Sequence, residues 1–157
     1  MTRHALDSDS FRKLGGIIPG TPGTHAWSLT GIKPSAIPIV IAVPHAGRAY
    51  PRPLLRALRN PEAAALRLED RLADSLGRAV ARETGATLLV ANAPRAMIDL
   101  NRAPEDIDWE MFGKDDRPVI AQGEPSRRAR SGLGLIPRRV PGTGELWNRQ
   151  HKSDELA

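Results

Sequence analysis

The sequence has no cysteine, few aromatic residues and no long apolar run. Without cysteine the chain cannot form disulfides, thiolate metal sites or a cysteine nucleophile. Any metal would have to be held by histidine and carboxylate side chains, a ligand set that suits zinc. No apolar segment approaches the roughly 20 residues that span a bilayer, and the first residues lack the apolar centre of a signal peptide. We therefore expect a soluble, cytoplasmic protein that has no membrane partner.

Basic residues exceed acidic ones, which gives a formal net charge of +5 at pH 7. With aromatic residues at only 4%, there is little with which to stack nucleic-acid bases. The pattern therefore favours solvated basic loops and disfavours nucleic acid as a partner. A basic RNA- or phosphate-binding module stays an alternative, and its contacts would come from the late arginines, Arg127, Arg128, Arg130, Arg138 and Arg139.

The length of 157 residues fits one domain with a real core. The 14 prolines and 14 glycines cluster at 15–38 and again at 113–144, whereas the middle of the chain has the pattern of regular structure. We interpret the chain as a single domain over 1–157. In this interpretation residues 1–36 and 141–157 are irregular flanks.

Two aliphatic runs, at 37–43 and 86–93, have the composition of buried strands. Between them the spacing predicts one long helix at about 63–83. A strand, a helix and a second strand in this order indicate a right-handed crossover between parallel strands, and so an α/β fold. The apolar stripe that should pack this helix onto the strands consists of Leu68, Leu72, Leu76, Ala79 and Val80.

Polar residues follow both predicted strands and also occur on the predicted helix. His45 ends the first strand, the pair Glu69–Asp70 lies on the helix, and Arg95 follows the second strand. Because parallel strands end at the same edge of a sheet, the loops that carry His45 and Arg95 should lie close together there. The alternative interpretation is an ordinary loop histidine, a solvated acidic helix surface and arginines in surface salt bridges.

Three segments, PHAGRAYP, EDRLAD and GATLLVANAPRAMIDLNR, occur in an order that resembles the N-formylglutamate amidohydrolase family. The likeness covers roughly residues 15–140. Its most specific part is RAMIDLNR at 95–102, and GLGLIPR at 132–138 adds to it. The resemblance implies a three-layer α/β/α fold with a mainly parallel sheet, related to zinc carboxypeptidases and aspartoacylases. It also implies a zinc-dependent amidohydrolase that hydrolyses N-formyl or N-acyl acidic amino acids.

The resemblance implies a metal site built from one histidine and one carboxylate of this chain. His45 matches the first zinc ligand of the family, and the Glu69–Asp70 pair matches its carboxylate ligand. Within that pair the helical spacing favours Asp70, because it lies off the apolar stripe. We therefore expect His45, Asp70 and Arg95 to converge on one cleft at the carboxyl edge of the sheet.

The resemblance also assigns substrate contacts. Arg95 would polarise the scissile carbonyl or stabilise the developing oxyanion, and Asn101 and Arg102 would bind the substrate carboxylate. Asp74, Asp99 and Tyr50 are expected to support these residues or the fold rather than to contact the substrate.

The sequence departs from the family pattern in its later part. A further histidine ligand and a carboxylate general base are expected there, and nothing matches them; His151 is the sole histidine after His45. We therefore expect an incomplete fold that corresponds to an amino-terminal portion, with weak or absent zinc and no hydrolysis by this chain alone. A second polypeptide that supplies the missing half, or a non-catalytic α/β remnant or interaction fragment, stays open.

Overall fold

The computed structural model describes residues 9–113, 125–140 and 142–152. Its main sheet has four strands in the order β1-β2-β4-β3, where β1 is Asp9–Gly15, β2 is Trp27–Lys33, β3 is Val40–Val43 and β4 is Thr87–Ala91. The β1–β2 and β2–β4 pairs are antiparallel, and the β3–β4 pair is parallel. The fold is therefore mixed α/β, and the expectation of a mainly parallel sheet is wrong. The three-layer, zinc-carboxypeptidase-like arrangement stays a prediction.

The error arises from the amino-terminal segment, which was interpreted as an irregular flank. Within it, β1 and β2 form a hairpin whose register runs from the pair Asp9 and Lys33 to the pair Gly15 and Trp27. The glycines and prolines that suggested irregular structure lie mostly in the connection between the two strands. The hairpin adds the two antiparallel pairings to the sheet. Residues 1–8 of the predicted flank lie outside the described residues.

The central crossover is confirmed. Strands β3 and β4 are parallel neighbours, in a register that runs from Val40 opposite Thr87 to Val43 opposite Val90. The connection contains three helices: α1 at Arg52–Ala57, α2 at Pro61–Leu68 and α3 at Ala73–Thr84. In the described part of the chain no helix is long and apolar enough to cross a membrane.

The single helix predicted at 63–83 is in fact two helices with a break at 69–72. The Asn60 side chain caps α2 by accepting a hydrogen bond from the Ala63 amide at 2.9 Å. Leu72 precedes α3 with a left-handed backbone (φ 67°), a conformation that interrupts a right-handed helix. Gly85, also left-handed, ends α3.

The predicted packing stripe of this helix is also wrong. Leu72 and Leu76 are 72% and 67% exposed. The contact with the sheet is made by Gly77, where an added Cβ would lie 2.9 Å from Val43 Cγ2 and 3.1 Å from Leu88 Cδ1. Because a glycine lets the helix approach the strands closely, small residues rather than leucines form this interface.

A second core lies beyond the carboxyl edge of the sheet and includes late residues of the chain. The short helix α4 spans Arg127–Arg130, and β5 at Arg139–Val140 pairs with β6 at Gly144–Glu145. The predicted flank at 141–157 therefore contributes to the interior, although residues 141 and 153–157 lie outside the described residues. The buried members of this core are Leu58, Ala64, Leu68, Ala96, Met111, Phe112, Val140, Leu146 and Trp147.

Candidate functional site

The loop after β3 is held against the loop after β4. Gly47 makes the contact possible, since an added Cβ would lie 2.1 Å from the Ala93 carbonyl oxygen. Close by, the Ala49 amide donates a hydrogen bond to the Asn92 carbonyl at 3.1 Å. This contact places buried His45, which follows β3, next to the turn at 94–102.

The imidazole ring of His45 lies between two carboxylates. Its Nε2 is 2.8 Å from Oδ1 of Asp99, and its Nδ1 is 3.4 Å from Oδ2 of Asp70. The Asp99 side chain is 1% exposed, whereas that of Asp70 is 54% exposed. In the tautomer that carries its proton on Nε2, the ring donates to Asp99 and directs the Nδ1 lone pair toward the solvent-accessible Asp70.

The break between α2 and α3 brings Asp70 to this position. Its backbone amide donates a hydrogen bond to the His45 carbonyl at 2.9 Å, and its own carbonyl accepts one from the Ala73 amide at 3.2 Å. Glu69, the other member of the predicted pair, points elsewhere. Its side chain is almost fully buried, and its carboxylate contacts Nε of Arg48 at 3.2 Å. Asp70 is therefore the member of the pair that lies beside His45.

Asp99 connects the other predicted site residues to His45. Its Oδ2 accepts a hydrogen bond from Nε of Arg95 at 3.0 Å and forms an ion pair with Nη2 of the same guanidinium at 2.9 Å. Its Oδ1 accepts a further bond from the Asn101 amide at 2.9 Å. Burial on its own would raise the pKa of Asp99, but the Asn101 amide, Arg95 and His45 together hold that pKa below its ordinary value.

Arg102 and Asn101 differ in how freely they could meet a ligand. Nε of Arg102 donates to the Leu133 carbonyl at 3.0 Å and its Nη1 to the Asn101 carbonyl at 2.7 Å, so most of its hydrogen bonds are made to backbone. Arg102 also lies 3.9 Å from Oδ2 of Asp99. Asn101 is exposed. Both residues predicted to bind substrate thus follow Asp99 closely in sequence. Arg102 is mainly internal, whereas Asn101 is open to solvent.

Two donor atoms in this site fit adjacent positions of a zinc ion. Ligands about 2.0–2.2 Å from a tetrahedral zinc are roughly 3.3–3.6 Å apart. The separation between His45 Nδ1 and Asp70 Oδ2 is 3.4 Å. Over residues 9–113, 125–140 and 142–152, no group of three or more metal-ligating side chains occurs. The ring of His151 packs against Trp147 and Phe112 instead, with centroids 4.5 and 6.3 Å apart.

Comparison with known proteins identifies the family. The model of the N-formylglutamate amidohydrolase family matches residues 37–157. The chain belongs to this family. The crystal structure of N-formylglutamate amidohydrolase from Ralstonia eutropha JMP134 matches with a TM-score of 0.70 and 30% sequence identity, over 83% of this chain and 45% of that chain. This amidohydrolase-family chain thus spans less than half of the length of that enzyme. No significant match was found among curated proteins.

Within this family member, sequence reasoning underestimated Asp99 and missed Arg48. The four-residue spacing of Arg95 and Asp99 is compatible with a local ion pair, which was not predicted from the sequence, and nothing local shows that the same carboxylate also orients His45. Arg48 gave no signal beyond its place three residues after His45. Its partner Glu69 is 21 residues away and is brought to it by the break before α3.

Proposed function

We propose that this chain carries part of the active site of a zinc-dependent amidohydrolase acting on N-formyl or N-acyl acidic amino acids. Its family membership supports the reaction class. The observation that carries the proposal is the position of the His45 ring, which one buried carboxylate orients and one exposed carboxylate faces. A metal-binding histidine commonly has this environment, with one ring nitrogen for the metal and the other bound to a carboxylate.

In this proposal His45 Nδ1 and the Asp70 carboxylate hold the zinc ion, and Asp99 is the positioning residue for His45. A bound zinc ion would supply Lewis-acid activation of water and of the substrate carbonyl. Asp99 sets the ring tautomer and prevents the imidazole from rotating. Its low exposure keeps this hydrogen bond free of competing water.

Arg95 supplies positive charge next to the proposed zinc ligands. Its side chain is four-fifths buried, and Asp99 fixes its guanidinium through one hydrogen bond to Nε and an ion pair with Nη2. A cation fixed before the reaction stabilises an oxyanion without reorganising at the moment of reaction. Asn101 and Arg102 would bind the substrate carboxylate from the same turn. Asn101 would use its exposed side-chain amide, and Arg102 would use the guanidinium edge that does not contact the backbone.

The alternative is a non-catalytic α/β member of the family. It is favoured by the donor set, because a catalytic zinc usually has three protein ligands and the described residues bring two together. Both proposals predict weak zinc binding by the chain alone. They differ once a further polypeptide completes the site: hydrolysis would then begin in the first case and stay absent in the second.

Zinc binding tests the site directly. We expect the purified chain to bind zinc weakly in isothermal titration calorimetry, with the heat abolished in His45→Ala and in Asp70→Ala. Asp74→Ala is the matched control, since Asp74 is the acidic residue one turn further on and pairs with Arg78. Binding that survives both ligand variants would contradict the proposed site. Stoichiometric zinc after dialysis together with turnover of N-formylglutamate would show instead that the site is complete.

A further inference from the structure

The two edges of the main sheet differ in a way that indicates different surroundings. The outer strand β1 carries Asp9, Arg12 and Lys13, and charges of this kind prevent an open edge from pairing with another chain. The opposite edge strand, β3, has the sequence VIAV. It is preceded by Pro38 and Ile39 and followed by Pro44. Residues 39–43 therefore form an edge that carries no charge against association.

The backbone of β3 has free hydrogen-bonding groups on this edge. Val40 lies opposite Thr87 in the parallel register, and the Thr87 amide donates to the Ile39 carbonyl at 3.1 Å. In a parallel ladder alternate residues bond to the same neighbour, so the peptide groups of Val40 and Ala42 point away from β4.

The outer flank of α3 extends this edge. Gly77 faces the sheet, and the groove of about 360 Å³ between α3 and β2 is lined by Arg78 and Arg82 on one flank of the helix. At about 100° per residue, Leu76 lies on the opposite flank, which is the flank beyond β3. The β3-edge face, as we name it, comprises the open edge of β3 and the exposed side chains that border it. On the α3 side these are Ile39, Leu72, Leu76 and Val80. Val40 borders the edge from the other side of the strand, because its neighbours Ile41 and Val43 are the residues that face α3.

We propose that the β3-edge face is the docking surface for an α/β polypeptide segment equivalent to the part of the amidohydrolase that this chain does not span. The matched enzyme is longer than this chain, which covers 45% of it. The segment adds a strand parallel to β3 and covers Leu76 of α3 and Leu72, which precedes this helix. The next step rests on the proposed function. The carboxyl end of the added strand would lie beside His45, where the set of zinc ligands is incomplete.

A second copy of this chain suits the face less well. Two chains that each carry a formal net charge of +5 repel one another. Pairing of β3 with itself across a two-fold axis would be antiparallel and would place the two His45 side chains at opposite ends of the joined strands.

Co-expression tests the proposal. The tagged full chain is produced together with the portion of the Ralstonia eutropha amidohydrolase that lies outside the matched part, and the purified material is analysed by light scattering and hydrogen exchange. We expect a one-to-one complex in which the amides of Val40 and Ala42 exchange more slowly than in the chain alone. The amides of β1 should be unchanged.

Two variants locate the interface, and one matched variant controls for added charge. Ala42→Pro removes an outward donor without removing a bond to β4. Leu76→Lys places a charge in the apolar face. Each should reduce the recovered partner by roughly tenfold or more, equivalent to about 1.4 kcal/mol. Leu66→Lys, on an exposed position of α2, should leave it unchanged.

The remaining outcomes overturn the proposal. Failure to form the complex, a complex unaffected by both interface variants, or a self-dimer that Ala42→Pro abolishes would each assign the face another role. His45→Ala separates this inference from the proposed function, because it should abolish zinc binding while the complex persists.

Discussion

Asp99 and Arg138 are the buried centres of two charge clusters, and the central charge is negative in the first and positive in the second. Asp99 is one carboxylate that basic and amide groups surround, whereas Arg138 is one guanidinium that three carboxylates surround. Nε of Arg138 contacts Asp108 at 2.6 Å, Nη2 contacts Glu110 at 2.9 Å, and Nη1 contacts Glu145 at 2.9 Å. Each of the three guanidinium nitrogens therefore has a carboxylate partner.

The two clusters differ in whether they leave an atom for a ligand. The Arg138 side chain is 7% exposed, and the hydrogen bonds of its guanidinium join segments that are distant in sequence. At Asp99 one partner, His45, retains a second ring nitrogen that faces an exposed carboxylate. A buried ion cluster can thus stabilise a fold or prepare a site, and the open atom on a partner distinguishes the two cases.

The Arg138 cluster also bears on the nucleic-acid hypothesis. Arg138 and Arg139 were counted among the arginines of a basic binding module, but Arg138 is enclosed and Arg139 contacts Glu145 at 2.5 Å. The three arginines of α4 are exposed. The basic surface is therefore smaller than the sequence suggested.

The largest effect is expected from removing the centre of the structural cluster. Arg138→Met leaves the nearly buried carboxylate of Asp108 without its partner, and breaking a buried pair in this way costs about 3–5 kcal/mol. Urea unfolding followed by circular dichroism measures the loss. Arg128→Met, at an exposed position, should change the free energy of unfolding by less than about 0.5 kcal/mol. Equal effects of the two variants would show that the cluster does not stabilise the second core.

At the Asp99 cluster we expect a smaller effect on stability and a larger effect on zinc affinity. Asp99→Asn keeps the side-chain volume but weakens the bonds to Arg95 and His45, at a cost of about 1–3 kcal/mol. Loss of a carboxylate that orients a metal-binding histidine typically lowers affinity roughly 10- to 100-fold. Calorimetric titration with zinc measures this change. Unchanged affinity in folded Asp99→Asn would place Asp99 with Arg138 as a structural centre only.

The smallest expected effect is on the pH dependence of the unfolding free energy. The pKa of Asp99 in the folded chain is below its ordinary value. Its contribution to stability is therefore present above the unfolded pKa of about 3.9 and is lost as pH falls through the folded value. The difference in unfolding free energy between the metal-free wild type and Asp99→Asn should then be greatest near neutral pH and shrink below about pH 4. A difference that widens on acidification would reverse the sign of this linkage.

The sequence predicted those parts of the fold that depend on short segments, such as apolar runs that form buried strands. The aliphatic runs before His45 and Arg95 were sufficient for the parallel pair β3–β4 and for the proximity of the loops that follow the two strands. The position of Asp70 beside His45 depends on the break at 69–72, which the helical spacing did not predict. The β1–β2 hairpin was missed because the DSFRKLG strand has mostly exposed positions and little apolar alternation.

Other features depended on contacts that sequence spacing does not record. Periodicity placed Leu72 and Leu76 in a core stripe. In the structure Gly77 faces the sheet, so Leu76 faces outward, and Leu72 lies exposed in the break before α3. The role of Asp99 depends on His45, 54 residues away, and the enclosure of Arg138 depends on Asp108, 30 residues away. Such pairings become visible only after the chain has folded.

The left-handed backbone at Leu72 has a consequence for attempts to stabilise this protein. An uninterrupted helix from 61 to 84 would be the favourable local structure for a segment so rich in alanine, leucine and arginine, yet it would remove the kink that presents Asp70 to His45. Substitutions chosen to raise helical propensity at 69–72 would therefore make the chain more robust while drawing the two donor atoms apart. Protein engineers seeking a thermostable version should improve α2 and α3 separately and leave the junction between them as it is.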